Sequence, residues 1–203
     1  MRTTLALNII FLLVAFCGCN PSEPVGPSTE PPVTDTVIRA DLPTIALDEL
    51  PAEYVQVPGL TIAIEGGDQW GNELTVSSHG GHTWPRHNDQ GVVVGSIHFE
   101  VMPRFIATPQ AQSEAAAAGL KESAIYVKDG NHQQALEVDK RAAYLISNYA
   151  DINQKSLYMM QVTIDYNEDQ YLLATCSYET NLTDDISDEL LEKIQTIRFL
   201  NES

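Results

Sequence analysis

The chain has 203 residues, of which 28 are Asp or Glu and 11 are Lys or Arg, so its formal net charge is −17 at pH 7. A surface of this charge repels nucleic acids and anionic lipid headgroups, so we expect no nucleic-acid partner and no membrane binding through a basic patch. The three cysteines are too few for a disulfide framework.

The N-terminal segment has the layout of an export signal. Arg2 precedes an apolar run from residue 5 to residue 16 that is interrupted only by Asn8. This run is short for a membrane-spanning helix, which needs about 20 residues, but it fits the apolar region of a secretory signal. The sequence therefore predicts export across a membrane.

The signal ends in the sequence Phe16-Cys17-Gly18-Cys19. A small residue directly before a cysteine resembles the lipobox of bacterial lipoproteins, although Phe16 and Cys17 differ from its commonest residues. The resemblance implies removal of residues 1–18 and lipidation of Cys19, with anchoring in a membrane of the bacterial cell envelope, on its periplasmic or outer-membrane side. An ordinary secretory signal is the alternative.

Residues 19–40 follow as a tether. Five prolines lie among Ser, Thr and Glu in this segment, which has little apolar surface to bury: Pro21, Pro24, Pro27, Pro31 and Pro32. Such a composition favours a semi-extended linker. The remaining residues, 41–203, have a length that suits one globular domain.

Most of this domain has the pattern of short strands. A helix is expected between Thr108, a good N-cap residue with Pro109 after it, and Gly119, a typical residue just beyond a helix end. Asp129-Gly130 is a strong hairpin-turn signal. The other expected elements are a helical turn near residues 47–51 and strands at 54–57, 60–65, 74–77, 92–102, 123–128, 134–138 and 141–149.

The last third of the chain gives the clearest pattern, a hairpin followed by an amphipathic helix. One face of the first strand carries Tyr158, Met160, Val162 and Ile164, and a polar turn at residues 167–169 leads into the return strand. The helix presents an apolar stripe of Ile186, Leu190, Ile194 and Ile197. We expect this helix to cover the apolar face of the hairpin. Cys176, on the return strand, is expected to be a core residue rather than a reactive thiol.

These elements predict an α+β fold, an antiparallel sheet with helices packed on it. A lone alanine-rich helix, several hairpins and a closing helix that ends in Ile194-Gln195-Thr196-Ile197-Arg198-Phe199 resemble the PsbP/DcrB-like α/β/α sandwich over about residues 50–200. The resemblance implies an accessory or binding domain without enzymatic activity, and it identifies no ligand or functional residue.

No common catalytic motif is present, and the candidate site is the segment 78–91, which is expected to be a glycine-containing loop. Three readings are open for it: a solvated loop without a special role, a partner-binding loop, or a metal site. Trp84, Arg86 and His87 would contact a partner or ligand, and substitutions there would affect binding more than stability. His79, His82, His87 and Asp89 would bind zinc or copper if the loop folded back on itself.

The sequence therefore predicts a lipid-anchored envelope protein, without enzymatic activity, whose domain binds an envelope protein or supports assembly. The alternative is a metal-binding module that uses His79, His82 and His87. No cofactor is expected on the first reading, whereas the second requires zinc or copper.

Overall fold

The computed structural model describes residues 43–70, 74–76, 81–122, 126–152 and 155–201, with residues 119–122, 126–131 and 152 described in backbone only. Two α-helices, α1 (Pro109–Glu122) and α2 (Ser187–Gln195), and a short 3-10 helix at Leu47–Glu49 lie in these residues. The strands there are β1 (Tyr54–Gln56), β2 (Ile62–Glu65), β3 (Thr75–Val76), β4 (His82–His87), β5 (Val93–Pro103), β6 (Tyr126–Val138), β7 (Arg141–Ile152), β8 (Lys155–Asp165), β9 (Gln170–Glu179) and β10 (Arg198–Phe199).

The described strands form two sheets. Seven strands lie in the order β3-β4-β5-β9-β8-β7-β6, and three lie in the order β1-β2-β10. Neighbouring strands in both sheets are antiparallel. The domain is therefore mixed α+β with antiparallel sheets, as predicted, and strands outweigh helices. Within the described residues, no helix combines the length and apolar character needed to cross a bilayer.

The hairpin of β8 and β9 has the predicted strands and turn, but not the predicted contrast between its faces. The face with Met160 and Val162 belongs to the hydrophobic core. The other face is also covered at its centre, because α1 packs there and the Ser113 hydroxyl donates a hydrogen bond to Thr163 Oγ1 over 2.7 Å. Thr163 is fully buried as a result. Alternation along one strand cannot reveal a helix that packs from elsewhere in the chain.

Helix α1 begins where the sequence predicted and ends later. The Thr108 hydroxyl accepts a hydrogen bond from the Ala111 N–H at 3.2 Å, so Thr108 caps the first turn. The helix continues to Glu122, three residues beyond Gly119, so the predicted end at Gly119 is wrong. A glycine inside a helix costs about 1 kcal/mol relative to alanine, which a helix packed on a sheet can tolerate.

The hairpin turn predicted at Asp129-Gly130 is absent, because β6 runs through these residues. They lie next to a shift in strand register between Lys128 and His132. The turn between β6 and β7 lies at residues 139–140, between the strands predicted at 134–138 and 141–149. The turn is formed by Asp139 and Lys140, whose φ angles of 49° and 64° fit a two-residue turn that needs two left-handed residues. Phe199, from the other sheet, donates its N–H to the Asp139 carboxylate at 2.9 Å, and this long-range contact favours the turn here.

Helix α2 has the predicted phase. Ile186, Leu190, Ile194 and Ile197 are all buried, in one core cluster with Cys176. The helix ends at Gln195, however, and Arg198 begins β10, which pairs with β2. Burial raises the pKa of the Cys176 thiol, which agrees with the predicted packing role of this residue.

Candidate functional site

The segment predicted as a loop at residues 78–91 contains strand β4, so that prediction is wrong for residues 82–87. Strand β4 pairs with β5 along its length, with Trp84 opposite Ile97 and Thr83 opposite His98. The glycines of this segment made it read as a loop. Pro85 is tolerated in β4 because the outer side of this strand is mostly unpaired. Trp84 and Arg86 are the two buried residues of β4 and are two positions apart, which is the spacing of one face of a strand. This spacing is the signal that sequence reasoning missed.

Trp84 lies in the core of the domain rather than at a loop tip. Its side chain is fully buried, and its ring centroid is 4.8 Å from that of Trp70, with the ring planes inclined by 41°. Trp70 forms an isolated bridge with Arg86, so the segment before β3 covers this part of the sheet. In this structure Trp84 offers no surface to a partner.

Arg86 connects β4 to α2. Its guanidinium donates hydrogen bonds to both carboxylate oxygens of Glu189, at 2.9 and 2.8 Å, and to the Gln69 side-chain carbonyl at 2.7 Å. A two-point contact of this kind, with the arginine largely buried, fixes geometry as well as charge. Lys193, four residues further along α2, does not pair with Glu189: its ammonium donates to the carbonyls of Glu65 and Gly66.

His82 and His87 stand at opposite ends of β4. An extended strand rises about 3.3 Å per residue, so their α-carbons lie roughly 16 Å apart. Asp89 instead accepts a hydrogen bond from Gln69 at 3.3 Å. The folded-back loop that a shared zinc or copper ion would need is therefore contradicted. Within the described ranges no three His, Cys, Asp or Glu side chains form a candidate metal cluster. His79 lies outside the described residues, so its contribution stays untested.

The face of β5 that packs towards α1 carries two ionisable residues whose importance the sequence did not reveal. His98 is buried, and its Nδ1 lies 3.0 Å from the Thr83 hydroxyl. Burial, with a smaller contribution from the charge of His82, lowers the pKa of His98 to about 4. Burial raises the pKa of Glu100, two residues further along the same face. His98 is consequently neutral at pH 7.

The neutral His98 predicts a pH-dependent stability. An imidazole with a pKa near 6.5 in the unfolded chain and about 4 in the folded protein takes up protons preferentially on unfolding. The contribution of His98 to the free energy of unfolding is complete above pH 6.5 and falls as the pH drops towards 4. This free energy should therefore decrease by about 2 kcal/mol between pH 7 and pH 5. Urea unfolding at the two pH values measures this loss.

His98→Gln is the control for that measurement, because it keeps a polar side chain and removes the titration. Glu100 has the opposite effect on the pH dependence of stability, because its raised carboxyl pKa favours the folded state as the pH falls. Glu100 is present in both proteins, so its effect is the same in each. The difference between the two proteins therefore isolates His98. An equal loss of stability in both would contradict the assignment.

A second feature that sequence reasoning missed is the connection between β5 and α1. Arg104 is anchored there from several directions: its guanidinium contacts the Asp165 carboxylate at 2.7 Å and lies 4.0 Å from the ring centroid of Tyr171. It also donates to the Asn167 carbonyl at 3.0 Å, and the Tyr171 hydroxyl donates to the Ile106 carbonyl at 2.7 Å. These contacts hold the connection against the β8–β9 hairpin.

Phe105 is exposed on this anchored connection. Its exposed fraction is 78%, although residues 104 and 106 on either side are tied down. A groove of about 600 Å³ lies at the same end of the sheet, lined by Pro103, Asn167, Glu168, Asp169 and Gln170. An exposed aromatic side chain on an anchored connection, at the same end of the sheet as a groove with two carboxylates, can bind an apolar, positively charged surface.

The fold and this surface define a mixed α+β domain with a candidate protein-binding site.

No protein-family model and no curated protein matches the chain. Several solved structures resemble it distantly, and two of them are PA94 and LpqN. PA94, a Pseudomonas aeruginosa protein of unknown function, has 12% identity and a TM-score of 0.47 over 74% of this chain and 96% of its own. LpqN of Mycobacterium tuberculosis, which is involved in cell envelope biogenesis, has 16% identity and a TM-score of 0.46 over 69% of this chain and 83% of its own.

Proposed function

We propose that the protein is a lipid-anchored component of the bacterial cell envelope whose domain binds another envelope protein and has no catalytic role. In this proposal residues 1–18 are the signal, Cys19 carries the lipid, residues 19–40 form the tether, and residues 41–203 form a PsbP-like binding domain. The Gly18-Cys19 sequence supports the anchor, and the proline-rich composition supports the tether.

The observation that carries the binding function is the exposure of Phe105 on an anchored connection. Leaving a phenylalanine in water forgoes roughly 1.5–3 kcal/mol of burial free energy. The Arg104 contacts keep the backbone around it fixed, so little conformational entropy is lost on binding. Aromatic side chains presented in this way are common energetic centres of protein interfaces.

The surroundings of Phe105 favour a partner with apolar and basic side chains. Glu168 and Asp169 line the adjacent groove, and the whole chain carries a net charge of −17. Complementary charge accelerates association and orients the partner, while the apolar contact supplies most of the affinity. Binding should therefore weaken moderately, without being lost, at high salt.

The test places a photo-reactive amino acid at position 105 of the full chain in intact cells. We expect one discrete cross-linked protein from position 105 and none from position 182. Leu182 is a matched control because it is also an exposed apolar residue on a connection. Phe105→Ala should abolish capture from a second probe at position 168 and change the free energy of unfolding by less than about 0.5 kcal/mol. Equal labelling from positions 105 and 182 would contradict the binding role.

The anchor has its own test. Cys19→Ser should leave an unprocessed precursor or release the protein from membranes, because several acyl chains hold a protein on a bilayer and their loss removes that affinity. Fractionation of cells into soluble and membrane parts measures the effect, with Cys176→Ser as the control for the loss of a cysteine elsewhere. A wild-type protein found wholly in the soluble fraction would refute anchoring and leave the Phe105 result unaffected.

A further inference from the structure

The two edges of the seven-stranded sheet differ in their protection. At one edge β3 has only two residues, and the neighbouring β4 carries Pro85 and is partly covered by the Trp70 bridge. The other edge is β6, which the described residues leave without a neighbour on its outer side. After the register shift near its start, β6 pairs with β7 continuously from His132 to Val138.

The main-chain groups on the outer side of β6 can be assigned from the turn. In a two-residue hairpin the residues that flank the turn, here Val138 and Arg141, form a hydrogen-bonded pair. Hydrogen-bonded and non-hydrogen-bonded pairs alternate along an antiparallel ladder. The N–H and C=O groups of Glu137, Ala135 and Gln133 therefore point away from β7.

Beyond the register shift, residues 132–138 of this edge carry few of the devices that usually protect one. Residues 132–138 read His-Gln-Gln-Ala-Leu-Glu-Val, with no lysine, proline or glycine. Exposed edges of monomeric proteins commonly carry such residues because free main-chain groups invite another strand. The side chains of residues 132–135 and 137 are exposed, so the strand is accessible.

The pattern of residues is complementary to itself. In an antiparallel pair of two copies centred on Ala135, Glu137 of one protomer lies opposite Gln133 of the other, and Leu136 lies opposite Gln134. The one carboxylate in residues 132–138 thus faces an amide instead of its own copy, and no like charges meet. Centring the pair on Glu137 would place two carboxylates opposite each other, which is unfavourable.

We propose that β6 is a homodimerisation edge, at which two copies pair antiparallel about a two-fold axis at Ala135 and join their seven-stranded sheets. The inference is independent of the proposed function, because it uses neither the lipid nor Phe105. The net charge of −17 on each copy opposes association, so the dimer should tighten as salt screens the repulsion.

Cross-linking of the purified full-length protein tests the register. Directly opposite hydrogen-bonded residues have α-carbons about 5.5 Å apart, within disulfide range. Ala135→Cys should therefore give a disulfide dimer on mild oxidation. Glu137→Cys is the matched control: its copies are displaced by four residues, roughly 14 Å, and should not join. The unsubstituted chain controls for the natural cysteines. Equal dimer from both variants, or none from Ala135→Cys, would overturn the proposal.

Ala135→Pro provides a second measurement that does not depend on oxidation. It removes an outward N–H and leaves the β6–β7 hydrogen bonds intact, so the domain should stay folded, which circular dichroism checks. Analytical ultracentrifugation of the full chain in detergent should show a dissociation constant raised about tenfold or more, whereas Ala135→Ser should match the parent. A parent chain that is monomeric at all concentrations and salt levels would refute the dimer.

Discussion

Replacing Trp84 with alanine is expected to destabilise the protein by about 3–5 kcal/mol, as large-to-small substitutions of buried aromatic residues do. The side chain is fully buried against Trp70, and it pairs across the ladder with Ile97. Its removal would leave a cavity lined by apolar groups that the surrounding sheet cannot easily close. Urea unfolding followed by far-UV circular dichroism measures the loss.

Phe105→Ala is the control for that experiment, because it deletes an aromatic side chain from an exposed position. Its effect on the free energy of unfolding should be below about 0.5 kcal/mol. The contrast reverses what the sequence predicted, in which a substitution of Trp84 would disturb binding and spare stability. Similar effects at the two positions would contradict the placement of Trp84 in the core.

The parts of the fold that could be predicted were those with a local cause. The alternation in β8 and the three- and four-residue spacing in α2 reflect which face is buried, and a single segment shows both. Thr108 could be recognised as a helix cap for the same reason, since its hydroxyl binds a main-chain group three residues away. Each of these signals requires no knowledge of the rest of the chain.

The wrong predictions share a tertiary cause. The glycines in residues 78–91 suggested a loop, but β5 supplies the partner that makes a strand of residues 82–87. Gly130 suggested a hairpin turn, but β7 pairs with residues on both sides of it, so it lies inside β6. Neither contact is visible in a window of neighbouring residues.

The residues of the candidate site also divide into those that local sequence marks and those that only long-range contacts identify. The histidine-containing segment attracted attention by composition, and the structure spreads His82 and His87 along a strand. Phe105 has no sequence signature, because an isolated phenylalanine between two elements reads as core. The connection that carries it is held by Arg104, whose partners Asp165 and Tyr171 are 61 and 67 residues away in sequence. Composition therefore drew attention to residues that the structure places in the core or along a strand, whereas the anchoring of the connection at Phe105 depends on long-range contacts.

The packing of α2 leads to the last prediction: Ile194→Asp should cost several kcal/mol and leave much of the protein unfolded at 37 °C. Ile194 is fully buried in the core cluster shared by the helix and the large sheet. A carboxylate there would be either charged without a partner or protonated at a cost, and both outcomes disfavour the folded state.

Glu192→Ala tests the phase of the helix in the same experiment. Glu192 is exposed on α2, so its replacement should change the free energy of unfolding by less than about 0.5 kcal/mol. Both variants alter one residue of the same helix, and two positions separate them. The two side chains point to opposite sides of α2, one buried and one exposed, so a large difference supports the packing of α2 against the sheet. Comparable unfolding midpoints in urea for the two variants would contradict it.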